Sequence, residues 1–117
     1  MSQKVSFEGI GEEVVTFYAD GAVKGGESVK SSGDSTVKLC PDGERFCGVT
    51  AAPARGGCVA VQTGGFAQVR CADDSVTVGY VKLVGDGNGG VKKDSGDAGQ
   101  EYWVVSDDGA GTITIKL

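Results

Sequence analysis

The sequence has no histidine. That absence excludes Ser-His-Asp and Cys-His activation of a nucleophile and removes most catalytic zinc sites. Any enzyme chemistry would rest on carboxylates, Lys, Tyr or Cys. Positive charge is also sparse, with 11 Lys and Arg against 16 Asp and Glu and a net charge of −5. The basic stripe that a nucleic-acid partner requires is missing. No apolar stretch reaches the roughly 18 residues of a membrane helix, and the N-terminus lacks a charged-then-apolar leader. The expectation is therefore no membrane span and synthesis in the cytoplasm. No window places apolar residues at helical spacing over three turns. At most a helical turn is expected, in Ser75–Gly79 or Ala51–Arg55, and Pro53 weakens the second.

Glycine is what the chain has in excess: 21 residues, where average usage of about 7% gives roughly eight. They fall between short runs rich in β-branched and aromatic residues, as turns do in an all-β protein. These runs are Glu13–Tyr18, Glu27–Lys30, Thr36–Cys40, Phe46–Thr50, Cys58–Thr63, Phe66–Cys71, Val78–Val84, Val91–Lys93, Tyr102–Ser106 and Thr112–Leu117. An alternating segment, Lys4–Glu8, precedes them. About nine to eleven short antiparallel strands joined by glycine-rich turns predict a small single-domain β-barrel or sandwich. The domain division is an N-terminal arm, residues 1–8, and one β domain, residues 9–117. In the last strand Ile113, Ile115 and Leu117 are expected inside, with Thr112, Thr114 and Lys116 outside.

Arg45–Cys71 is the most structured-looking stretch. Gly64-Gly65 alone separates two strand-like runs, and such a pair suits the positive φ values of a two-residue hairpin. That register sets Thr63 against Phe66 and Cys58 against Cys71. It buries Cys58, Ala60, Ala67, Val69 and Cys71 on one face and leaves Phe66 at the tip.

The motifs that could carry chemistry have better structural readings. Gly85–Gly90 satisfies G-x-G-x-x-G, but Val91–Gly96 cannot supply the helix that would hold a pyrophosphate. Asp86 and Asn88 resemble the start of a calcium loop, yet Gly90 stands where a third ligand belongs. A hairpin turn is expected there. The four cysteines, with 6, 10 and 12 residues between them, form no C-x-x-C pair, so no metal site is expected. The acidic pairs Glu12-Glu13, Asp73-Asp74 and Asp107-Asp108 read as solvated turns or opposite strand faces rather than paired catalytic carboxylates. Trp103 inside an apolar strand reads first as core. Exposed, and with Tyr102, Tyr80 and Tyr18, it would instead make a sugar-stacking platform. No catalytic, cofactor-binding or metal residues are assigned.

The order of F-x-G-x-G-E-x-V-x-x-F at Phe7, A-V-K-G-G-E-x-V-K at Ala22, D-G-E-R-F-C-G-V at Asp42 and V-A-V-Q-T-G-G-F at Val59 resembles the capsid decoration (head cement) proteins of tailed bacteriophages and prophages. The resemblance runs from Phe7 to about Leu117. It implies a β-rich protein on the capsid exterior of the virion, adding contacts between subunits of the major capsid protein, often as a homotrimer. It implies no cofactor, no enzyme activity, no nucleic acid and no membrane. The cysteines and Tyr102-Trp103 are not features the resemblance requires. Val5, Phe7 and Phe66 are the candidate capsid or subunit contacts. The rival reading is a carbohydrate-binding or adhesion module displayed on a virion or cell, which an exposed Trp103 would favour.

Overall fold

In the computed structural model of the chain, residues 11–117 are described. The arm, with Val5 and Phe7, and the first residues assigned to the β domain lie outside that range. Among the described residues there is no helix, and ten strands follow in order. They are β1 (Glu13–Ala19), β2 (Ser28–Gly33), β3 (Thr36–Leu39), β4 (Gly48–Thr50), β5 (Cys58–Gly64), β6 (Phe66–Arg70), β7 (Gly79–Gly85), β8 (Val91–Lys93), β9 (Gln100–Asp107) and β10 (Thr112–Lys116). The fold is all-β, as expected. β1-β3-β2-β4-β5 close into a barrel, and β6-β10-β9-β7-β8 form a second sheet of five strands. Every pairing but one is antiparallel. The exception is β1 with β3, where Tyr18 and Ala19 lie beside Thr36 and Val37 in parallel.

Two apolar clusters follow from this arrangement. Val23, Val29, Val37, Val59 and Val61 fill the barrel. The second cluster gathers the inner face of the sheet (Ala67, Val69, Leu83, Tyr102, Val104, Ile113, Ile115) together with Cys40, Phe46 and Val49 from the barrel side. Phe46 stacks on Tyr102 with ring centroids 4.9 Å apart, tying the two halves. Ile113 and Ile115 point inward as the alternation predicts, and Leu117 packs against the same cluster. Thr114, expected outside, is also buried. β9 carries one extra residue there, Val105, and the register shift brings the Ser106 hydroxyl to 3.4 Å from that of Thr114.

The expected hairpin at Gly64-Gly65 does not exist. β5 bonds to β1 and β4, and β6 bonds to β10, so the chain leaves the barrel at Gly65 and enters the other sheet. Gly65 has φ 82°, which suits either geometry. What selects the corner is close approach: a Cβ on Gly65 would stand 2.8 Å from Glu12 Cα and 2.8 Å from the Gly11 carbonyl oxygen. The corner's carbonyls find other donors. The Gln62 side-chain Nε2 donates to the carbonyl oxygens of Gly64 (3.0 Å) and Phe66 (2.7 Å), and the Leu117 main-chain amide donates to that of Gly65 (2.8 Å).

This correction reverses the inner face of β5. Val59 and Val61 are buried, while Cys58 and Ala60 are half-buried. Cys58 pairs with Tyr18 rather than Cys71, and all four cysteines are free thiols. Neither suggested helical turn forms. The Gly85–Gly90 hairpin does, with Gly85 opposite Val91.

Candidate functional site

Strand β9 has a two-residue period whose inward members, Tyr102 and Val104, are buried. The same period turns Trp103 outward, where it is 41% exposed. Cross-strand register then builds a row on the outer face of the sheet. Trp103 faces Tyr80 on β7 and Lys116 on β10, and Lys116 faces Phe66 on β6. At the strand spacing of about 4.8 Å, this row crosses roughly 14 Å of sheet. The Tyr80 ring, 72% exposed, lies 6.4 Å from Trp103 at an interplanar angle of 26°. Phe66 approaches Trp103 edge-on at 6.1 Å and 69°. Such offset and T-shaped pairs keep rings in fixed orientations. Lys82 and Glu101, paired across β7 and β9, flank the row.

A second surface is the outer edge of β1. Among the described residues Glu13–Phe17 pair only with β5, because β3 reaches only Tyr18 and Ala19. The Tyr18 amide donates to Ser35 on the β3 side, while that of Ala19 donates to Gly57 on the β5 side. Alternation therefore points the backbone groups of Val14 and Thr16 at the open edge. Val14 and Val15 are 44% and 41% exposed. An open strand edge with apolar side chains is a template for another strand.

Of the predicted contacts, Phe66 belongs to the aromatic row, half-buried at the sheet corner rather than at a hairpin tip. Val5 and Phe7 lie outside the described residues. Tyr80 and Trp103 were legible as a sugar platform only if Trp103 left the core, and the Tyr102/Val104 alternation carried that signal. The edge of β1 had no signal, because pairing partners cannot be read from β1 itself.

A cleft of about 550 Å³ between the two halves is lined by Lys30, Arg45, Cys47 and Tyr102 among others. Its cations are occupied: Lys30 pairs with Glu44, and Arg45 donates to the Gln100 side-chain oxygen. Three acidic residues are likewise committed to turns. Asp73 accepts from Ser75 and from the Lys93 amide at 3.0 Å, which holds its carboxyl below the usual range. Asp86 accepts from the amides of Asn88 (2.7 Å) and Gly90 (2.9 Å). Asp108 accepts from those of Ala110 (2.7 Å) and Thr112 (3.1 Å), again lowering its pKa. Burial raises the Cys40 thiol to about 11, so that group stays protonated at neutral pH. Among the described residues no three His, Cys, Asp or Glu side chains converge on a metal position. The described surface carries an exposed aromatic row on one face and, among the described residues, an open strand edge.

No protein-family model matches the chain, and comparison with curated protein sequences gives no match. Among solved structures it is similar to the N base of the head fiber gp8.5 in bacteriophage phi29, at 17% identity and a TM-score of 0.64. That likeness covers 91% of this chain and 93% of the other, so the two share a fold along nearly their whole lengths.

Proposed function

We propose that the chain is a structural protein of a phage or prophage virion, bound to the capsid exterior. There it adds contacts between subunits of the major capsid protein, as a homotrimer. The observation that carries the reading is the end-to-end likeness to a phage head-fiber base, which agrees with the decoration-protein pattern in the sequence. The open edge of β1 supplies a means of docking: a strand from the capsid protein or a neighbouring copy adds beside Glu13–Phe17 through main-chain hydrogen bonds. Exposed Val14 and Val15 give that added strand apolar partners. Each such contact is modest. Repetition over a symmetric shell, with copies linked in trimers, raises the effective affinity by avidity.

Co-sedimentation with expanded shells of the major capsid protein from the same phage or prophage tests the reading. The expected result is saturable binding, at a fixed ratio of copies to capsid subunits, that raises the shell's melting temperature. A chain left in the supernatant at every shell concentration overturns it. Sedimentation equilibrium of the free protein tests the trimer, which a mass of one chain contradicts.

A further inference from the structure

The row on the outer sheet face is not what a protein-docking core looks like. Protein interfaces deplete Lys and Glu at their centres and enrich aromatics there. Here the rings are interleaved with charge. Lys116 stands between Phe66 and Trp103 in the register, and Lys82 and Glu101 occupy the next positions on the same face. Lys116 is exposed and makes no ion pair among the described residues. In a chain of net charge −5, an exposed ammonium within an aromatic row is a local positive point on an acidic molecule.

The geometry points to a binding site for an acidic glycan, with pyranose rings lying on Trp103 and Tyr80 and an anionic group of the sugar against Lys116. Three features match that ligand. Tyr80 and Trp103 are 72% and 41% exposed with rings within 26° of parallel, which leaves ring surface open to a flat polyol. Their sites on neighbouring strands accept successive sugars, since the apolar C–H face of a pyranose packs on an aromatic ring as other apolar groups do. Hydroxyl groups need donors and acceptors at the rim, which Glu101 and Lys82, the latter 3.7 Å from the Asp97 carboxylate, provide. The rigid sheet fixes these positions in advance, which reduces the ordering cost of binding. The site uses the face opposite the buried one and involves none of the β1 edge. It therefore stands independently of capsid docking, and each can fail without the other.

Trp103 is the only tryptophan in the chain, so its fluorescence reports on this site alone. Titrating the intact protein with oligogalacturonate at low salt is expected to shift and saturate the emission. Added salt weakens that binding, and an equal concentration of a neutral glucan gives at least tenfold weaker binding. Tyr80→Ala and Lys116→Gln alter exposed side chains and are each expected to lower affinity about tenfold with an unchanged circular-dichroism spectrum. An emission insensitive to oligogalacturonate overturns the proposal, as does equal binding of the neutral glucan or full affinity in Lys116→Gln. Emission that moves with protein concentration in the absence of sugar also overturns it, because the row would then be an interface between copies.

Discussion

At the scale of single residues, Gly65 decides where the chain goes. Its positive φ and the 2.8 Å approach of Glu12 and Gly11 leave no room for a side chain. Gly65→Ala is expected to destabilise the fold by about 2–4 kcal/mol through strain and overpacking, measured by denaturant unfolding. The sequence placed glycine at the right positions but not the reason for it. A Gly-Gly pair between two apolar runs is compatible with a hairpin and with a corner, and only a contact from a distant segment distinguishes them. The cysteines report the same difference. Because Cys58 pairs with Tyr18 in the barrel while Cys71 follows β6 of the other sheet, mild oxidation is expected to leave the folded chain without a Cys58–Cys71 crosslink on mass spectrometry. Cys40 predicts a pH effect. Burial raises its thiol from 9.0 to about 11 in the folded chain, so the unfolded chain loses this proton first. Stability is then unaffected by Cys40 below about pH 9 and falls as pH rises from there toward 11. Burial raises Cys71 and Tyr102 in the same direction. Cys40→Ala is expected to flatten the alkaline limb of the stability profile while lowering its plateau.

At the scale of elements, strand positions and the local hairpins β7–β8 and β9–β10 were legible, and the longer-range partners were not. Composition located β5, β6, β8 and the β9–β10 hairpin closely, because β-branched runs and glycine breaks are local signals. Partner choice is a property of the whole sheet. A register taken from a hairpin that does not form reverses the inner face of β5, and the usual burial of large aromatics puts Trp103 in the core. Its own strand's alternation, with Tyr102 and Val104 inside, was the better guide. The open edge of β1 is the functional element that emerged only with the pairing. Thr16→Pro removes an amide that points out of the sheet, a position where proline is tolerated. It is expected to change stability by no more than about 1 kcal/mol and to abolish co-sedimentation with capsid shells. Retained binding would remove the edge from the docking account.

At the scale of the molecule, the barrel and the sheet are joined by shared core rather than by a linker. Cys40, Phe46 and Val49 from the barrel side lie in the same apolar cluster as the inner face of the sheet. The radius of gyration of 13.6 Å is that of a compact body. The two halves are therefore expected to unfold in one transition. Phe46→Ala, which removes the 1% exposed ring stacked on Tyr102, is expected to cost about 3–5 kcal/mol without splitting that transition. A calorimetric trace with two peaks would contradict a shared core. The shape is flattened, with extents of 45 × 32 × 21 Å, so one broad face can lie toward a shell while another remains in solvent.

Hydrogen exchange on the capsid-bound protein tests the docking claim most directly. If the chain binds the shell through the β1 edge, the amides of Val14 and Thr16 slow by tenfold or more on binding, while the outer face carrying Tyr80 and Trp103 exchanges as in the free protein. Unchanged exchange at Val14 and Thr16 in the bound state would contradict the account.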